Sequence, residues 1–213
     1  MILGTFNAPL PMETMLLREP KIMAMRTIDA GRIYTSAQFE ALPEFEENRY
    51  ELLEGRLVKK EMLGHEHGRI AKKLQRGLIL FDPEEKLGEM LLATSFRLND
   101  RNTPIPDLAF WRASRVSKIA GKAALQTLPD LVVEIDSPRD LETKKRREEV
   151  QAKIQRYQSA GVSLIWAINP ENRTVSVYHP NQPEPVAALT TSDELEGEVV
   201  LPGFKLKVAT LFE

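Results

Sequence analysis

Apolar positions recur along this chain with two different periods, and the switches between them outline a mixed α/β domain. The first sustained pattern begins at Thr35. Thr35 with Gln38 three residues later has the spacing of a capping box, Phe39 and Leu42 give the short helix a buried side, and Pro43 ends it. Arg49-Tyr-Glu-Leu-Leu-Glu-Gly-Arg-Leu-Val then reads as a hairpin, with its turn at Gly55. From His67 to Phe81 apolar residues return at Ile70, Leu74, Leu78 and Phe81, while Arg69, Lys72, Lys73 and Arg76 fall elsewhere, which predicts an amphipathic helix. Short strands follow over residues 91–98, 106–111 and 131–136, then a helix over 141–160 and strands over 164–168 and 174–178. The tail, residues 199–208, alternates like a terminal strand. Strands in meander followed by a strand, helix, strand crossover predict a mixed sheet flanked by helices.

Residues 1–33 show no sustained period and carry Met12, Met15, Met23 and Met25, so they read as an N-terminal extension, leaving 34–213 as the folded domain. Composition changes the picture mainly by exclusion. The chain of 213 residues has no cysteine, which removes disulfides, thiolate metal sites and cysteine nucleophiles. Any metal must be held by carboxylates or by His65, His67 and His179. A net charge of −2 argues against a protein that coats nucleic acid through overall basicity, though not against a local basic face. The longest uncharged stretch, residues 157–170, is too short and too broken for a membrane span, and the N-terminus lacks a basic leader, so the expected location is cytoplasmic.

The chemistry gathers at the predicted strands. In Leu131-Val-Val-Glu-Ile-Asp the period of two places Val132, Glu134 and Asp136 on one face, so two carboxylates point the same way. Pro106-Asp-Leu-Ala-Phe-Trp carries another acid, Asp107, before an apolar run that implies burial. If the two strands are neighbours, three carboxylates converge. Like charges about 4 Å apart repel by roughly 4 kcal/mol per pair at an effective dielectric near 20, so such a cluster must protonate, pair with a base or bind a cation. All-oxygen ligands favour Mg²⁺ or Mn²⁺ over zinc. A lone acid in a buried strand is as readily the structural partner of a lysine.

A base is available on the next helix, where Val150, Ile154 and Tyr157 form an apolar stripe and Lys153 lies at its edge, either drawn toward the sheet or snorkelling to solvent. Residues 139–156 have a local net charge of +3; Lys144, Lys145, Arg146 and Arg147 read as a solvated face that becomes a phosphate-contact surface beside an oxygen-ligand metal site. His67 falls on the apolar side of its helix and reads as a structural histidine, whereas His65 is out of register. Glu51 reads as slightly more exposed than buried. Ser137-Pro-Arg-Asp reads as a turn and helix cap, and neither a nucleophile elbow nor a phosphate-binding glycine loop is present.

Tyr50-Glu-Leu-Leu-Glu-Gly, His67-Gly-x-Ile, Pro106-Asp-Leu-Ala-Phe, Pro129-Asp-Leu-Val-Val-Glu-Ile-Asp-Ser-Pro, Lys153-x-x-x-Tyr157-x-x-x-Gly161-Val162, Trp166-Ala-Ile-Asn-Pro and Leu201-Pro-Gly-Phe occur in one order. Together they resemble the Uma-two family of endonucleases, part of the restriction-endonuclease-like, PD-(D/E)xK superfamily. The resemblance runs from about Thr35 to Phe212. It implies a restriction-endonuclease-like α/β core in which Asp107 and Glu134 bind Mg²⁺ or Mn²⁺, with Lys153 supplied from the helix because Asp136 stands where the superfamily usually has lysine. Asp136 is then either a further metal ligand or a perturbation. Glu51 and His67 match the family's early acid and histidine.

The implied activity is metal-assisted hydrolysis of phosphodiester bonds in DNA, with Asp107, Glu134, Lys153 and Glu51 as catalytic residues, and a homodimer as the assembly that reaches both strands. Two further readings stand beside it. One is a catalytically inactive nucleic-acid-binding or assembly module that keeps the fold; the other is a hydrolase of a small phosphorylated molecule.

Overall fold

The computed structural model describes residues 31–42, 50–60, 64–116 and 124–213, the side chain of Arg139 excepted. The extension read at residues 1–33, apart from its last three, lies outside the described residues, as do Pro43 and Arg49.

Helix α1 (Ser36–Glu40) opens with the expected reciprocal cap: the Gln38 amide N–H donates to Thr35 Oγ1, and the Thr35 N–H donates to Gln38 Oε1. Strands β1 (Tyr50–Leu53) and β2 (Arg56–Lys59) form the predicted hairpin. Its two turn residues, Glu54 and Gly55, both have positive φ, the signature of a tight primed turn, and a Cβ on Gly55 would stand 2.6 Å from Ile33 Cγ2. Helix α2 (His65–Phe81) buries His67, Ile70, Ala71, Leu74 and Leu78.

The main sheet has six strands: β3 (Gly88–Leu92), β4 (Leu108–Arg112), β5 (Leu131–Ile135), β6 (Leu164–Asn169), β7 (Thr174–Tyr178) and β8 (Ala187–Leu189), side by side in that order. Only β5 and β6 run parallel. A parallel pair needs a crossover, and here it consists of α4 (Pro138–Glu142) and α5 (Lys144–Ala160). The pleat assigns the two faces. Leu108, Phe110, Leu131, Val133, Ile135 and Trp166 pack with α2 and the C-terminal residues, whereas Ala109, Trp111, Val132 and Ile165 pack with Ile154 and Tyr157 of α5. The mixed sheet with flanking helices is therefore the expected architecture.

Three boundaries differ from the sequence expectation. The helix read over 141–160 is two helices, because Thr143 takes an extended conformation and its side chain accepts from the Arg146 N–H, capping α5 afresh. The strand read over 91–98 stops at Leu92, just before Ala93 adopts a positive φ; residues 95–98 continue only through isolated pairings. The tail does not form one strand either. Val200 and Leu201 donate back to the Gly197 carbonyl in a turn, Val200, Leu201, Phe204 and Val208 pack inward while Val199 is exposed, and only Lys205–Lys207 (β10) pairs, with β9 (Glu194–Glu196), before α6 (Ala209–Phe212). A one-turn helix, α3 (Ala113–Val116), follows β4. Among the described residues, no helix is long and apolar enough to cross a membrane.

Candidate active site

Strands β4 and β5 are antiparallel neighbours, with Leu108 opposite Val133. Asp107 stands immediately before β4 and is fastened to β5, because the Ile135 N–H donates to its Oδ2 at 2.8 Å. Glu134 shares the pleat face of Val132 and so meets α5, as the period of two predicts. There Lys153 Nζ lies 2.9 Å from Glu134 Oε1 and 3.0 Å from Glu51 Oε2. Tyr157, one turn further along α5, donates its hydroxyl to the same Glu134 Oε1 at 2.7 Å. Glu51 is held in turn by the Ile105 N–H, which donates to Oε2 at 3.1 Å.

The carboxylate of Asp107 has two more neighbours. Lys60 Nζ is 3.2 Å from Oδ1 and also donates to the Ile105 carbonyl, while His67 Nε2 lies 3.0 Å from Oδ2. Asp107, Glu134, Asp136, Glu51, Lys60 and Lys153 all line one cleft of about 170 Å³.

Two expectations are corrected here. Glu51, read as tending toward exposure, is 7% exposed, because both faces of β1 are covered: Leu52 packs with Tyr34 and Phe39 while Glu51 turns to the ion pairs. The snorkelling alternative for Lys153 is excluded, since its ammonium lies between two carboxylates and its side chain is only 14% exposed. His67 is buried and His65 exposed, as their registers imply. Ser137 caps α4 through Asp140, whose Oδ2 accepts from both the Ser137 N–H and Oγ–H. Of the four basic residues at the start of α5, Arg146 lines the cleft; Lys144 and Lys145 project into solvent beside Glu148 and Glu149, and Arg147 donates to the Leu141 carbonyl.

The electrostatics separate the acids. For Asp107, burial favours the neutral form but is outweighed by the His67 contact and the charge of Lys60, so the carboxyl sits well below its ordinary range. Burial dominates at Glu134 and raises its pKa, although Lys153 opposes the rise. Burial likewise works against the charge on Lys153, yet Glu134, Glu51 and Asp107 overcome it and keep the ammonium protonated. The Tyr157 phenol is pushed up by burial and by Glu134, and remains a donor. Asp136 is raised from the ordinary 3.8 to about 7 by burial and by the charges of Asp140, Glu134 and Asp107.

A stability prediction follows from Asp136. Well below the ordinary 3.8 the residue is protonated in both folded and unfolded chains; as pH rises toward 7 the unfolded chain ionises first, so the folded state loses relative stability, and the full cost persists above 7. Asp136→Asn escapes this cost. Denaturant unfolding of the metal-free variant should show almost no gain near about pH 3 and a gain of about 2–4 kcal/mol at about pH 8, three pKa units being worth roughly 4 kcal/mol at most.

Sequence reasoning missed Lys60 and the hydroxyl of Tyr157. Lys60 follows an exposed strand end and has no local pattern; Tyr157 stands in the apolar stripe and in the motif that begins at Lys153, and neither gives its hydroxyl a partner. The donor chemistry fits a hard divalent cation: acids on adjacent strands, and a Glu134 Oε2 with no hydrogen-bond partner among the described residues. Among those residues no three acids or histidines are gathered as a metal-holding group, so the three-carboxylate convergence reduces to a shared cleft. Two carboxylates suffice for Mg²⁺, which keeps several waters and takes further oxygens from a phosphate.

A family model described as Uma2, "Putative restriction endonuclease", matches residues 36–209. Among solved structures, a similar one is that of a "putative nuclease belonging to DUF820" from Anabaena variabilis, 22% identical, with a TM-score of 0.68 over 84% of this chain and 97% of that one. The likeness to that structure is one of fold. No curated protein matches.

Proposed function

The chain belongs to the Uma2 family, described as putative restriction endonucleases, and from that membership and the cleft at β4 and β5 we propose that it is a Mg²⁺- or Mn²⁺-dependent endonuclease that hydrolyses phosphodiester bonds in DNA. The observation that carries this reading is the position of Lys153. It comes from the crossover helix rather than from β5, yet its ammonium meets Glu134 at 2.9 Å and Glu51 at 3.0 Å in the cleft that Asp107 also lines.

Asp107 and Glu134 would hold the cation, with Asp136 in the same cleft. Bound there, a divalent cation supplies Lewis acidity toward a phosphoryl oxygen and lowers the pKa of a bound water. Lys153 brings a fixed positive charge to the place where negative charge develops on the phosphate, at no cost of reorganisation. Glu51 keeps that ammonium from swinging out. The reading includes a cytoplasmic enzyme that acts as a homodimer to reach both strands.

Supercoiled plasmid tests the reading. Purified protein should nick and linearise it with Mg²⁺ or Mn²⁺ but not with EDTA, and Glu134→Ala should be inactive; activity that survives Glu134→Ala belongs to a contaminant or another site. A second reading, a nucleic-acid-binding module without catalysis, is favoured by the ammonium groups of Lys60 and Lys153 on the two proposed ligands. It predicts DNA binding that EDTA leaves unchanged and no cleavage under any metal.

Lys144 and Lys145 serve as phosphate contacts in this proposal, because both are solvent-exposed on the helix that carries Lys153. Lys144→Glu with Lys145→Glu should weaken DNA binding across all sequences. The slope of log affinity against log salt should fall by about 2, one for each phosphate that a lysine no longer neutralises. An unchanged slope would remove this face from the interface.

A further inference from the structure

Glu134 Oε1 meets two groups of one helix: it accepts from the Tyr157 hydroxyl at 2.7 Å and pairs with the Lys153 ammonium at 2.9 Å. Oε2 has no hydrogen-bond partner among the described residues, and the residue lines the cleft. The two oxygens of a carboxylate point in different directions, so fixing one aims the other. Lys153 alone does not select that oxygen, since its ammonium is a point charge shared with Glu51 and has no directional preference between the two oxygens of a carboxylate. The phenol has a single hydroxyl on a rigid ring, which is fully buried and packed against Phe96, with ring centroids 6.0 Å apart.

We propose that Tyr157 is a positioning residue for metal binding: its hydroxyl locks Glu134 with Oε1 toward α5, leaving Oε2 as the atom offered to the cation. This rests on the reading that a divalent cation binds at Asp107 and Glu134. Tyr157 touches neither substrate nor metal, and it acts through Glu134. Outer partners of metal-ligating carboxylates commonly account for 10–100-fold in metal affinity.

The test is Mn²⁺ titration of the full chain without DNA, with free Mn²⁺ followed by electron paramagnetic resonance. Tyr157→Phe keeps the ring and removes only the donor. Tyr178→Phe is the matched control, because Tyr178 is also a buried tyrosine beside α5 but its hydroxyl faces Gln151 at 3.5 Å, not Glu134. The expected result is a loss of Mn²⁺ affinity of about tenfold or more in Tyr157→Phe, and less than about twofold in Tyr178→Phe. Equal affinity in Tyr157→Phe and wild type overturns the positioning role alone. So does an equal loss in both variants, which would mark a packing effect. If the wild type binds no Mn²⁺, the metal-dependent reading fails and the inference fails with it.

Discussion

Lys153→Met is expected to abolish plasmid cleavage and to lower folding stability by about 3–5 kcal/mol, the usual cost of removing one partner from a buried ion pair. Methionine nearly fills the lysine volume, so packing against the sheet changes little. What changes is charge. Lys153 is the cation that meets both Glu51 and Glu134, and without it two largely buried carboxylates face each other across the cleft. Relief comes by protonation of Glu134, which burial already favours, and this fixes the sign of the pH dependence: the penalty is largest at pH 8, where Glu134 must ionise, and shrinks toward pH 5 as it takes up a proton. Denaturant unfolding at the two pH values checks this. A variant as stable as wild type at pH 8 would mean that the ion pairs contribute nothing to the fold. Lys153→Arg should fail to restore cleavage, since a planar guanidinium cannot take the place of a compact ammonium between two carboxylates.

Asp107→Asn should lower cleavage by about 10³-fold or more, because about 4 kcal/mol of transition-state stabilisation is the scale on which a metal ion acts. The substitution is mild for the fold. Asparagine retains an oxygen to accept from the Ile135 N–H, so the tie between β4 and β5 survives. It cannot balance Lys60 or provide a charged oxygen to a cation. The wild-type carboxyl titrates below its ordinary range, so its contribution to stability is present above that range and is lost as pH falls from there through the depressed folded value. Asp107→Asn should therefore flatten the acid limb of the stability curve. Full cleavage by this variant would exclude Asp107 as a metal ligand.

Much of this site was legible in the chain because it depends on short periods. Glu134 and Val132 share a strand face by the pleat alone, and the apolar run after Asp107 places it at the start of a buried strand. That these strands are neighbours is a matter of topology, which the local pattern restricts without deciding. The helical wheel puts Lys153 beside the stripe of Ile154 and Tyr157, but only tertiary contact tells an inward lysine from a solvated one. Glu51 shows the limit most plainly. Alternation with Leu52 implies that one of the two is exposed, yet both are buried because β1 is covered on both sides. Lys60 reaches Asp107 across 47 positions of sequence, and no local pattern records such a contact. The break at Thr143 was missed because its cap lies within a continuous run of helix-compatible residues, where Thr143 also fits a helix interior.

The anomalous difference map of crystals soaked in Mn²⁺ shows whether a hard divalent cation binds between Asp107 and Glu134. The predicted result is a peak within about 2.3 Å of a carboxylate oxygen of each residue, in the range of hard-cation oxygen bonds, with Lys153 still at Glu134. Full Mn²⁺ exposure with no peak there, or a peak held by neither Asp107 nor Glu134, would contradict binding at this site.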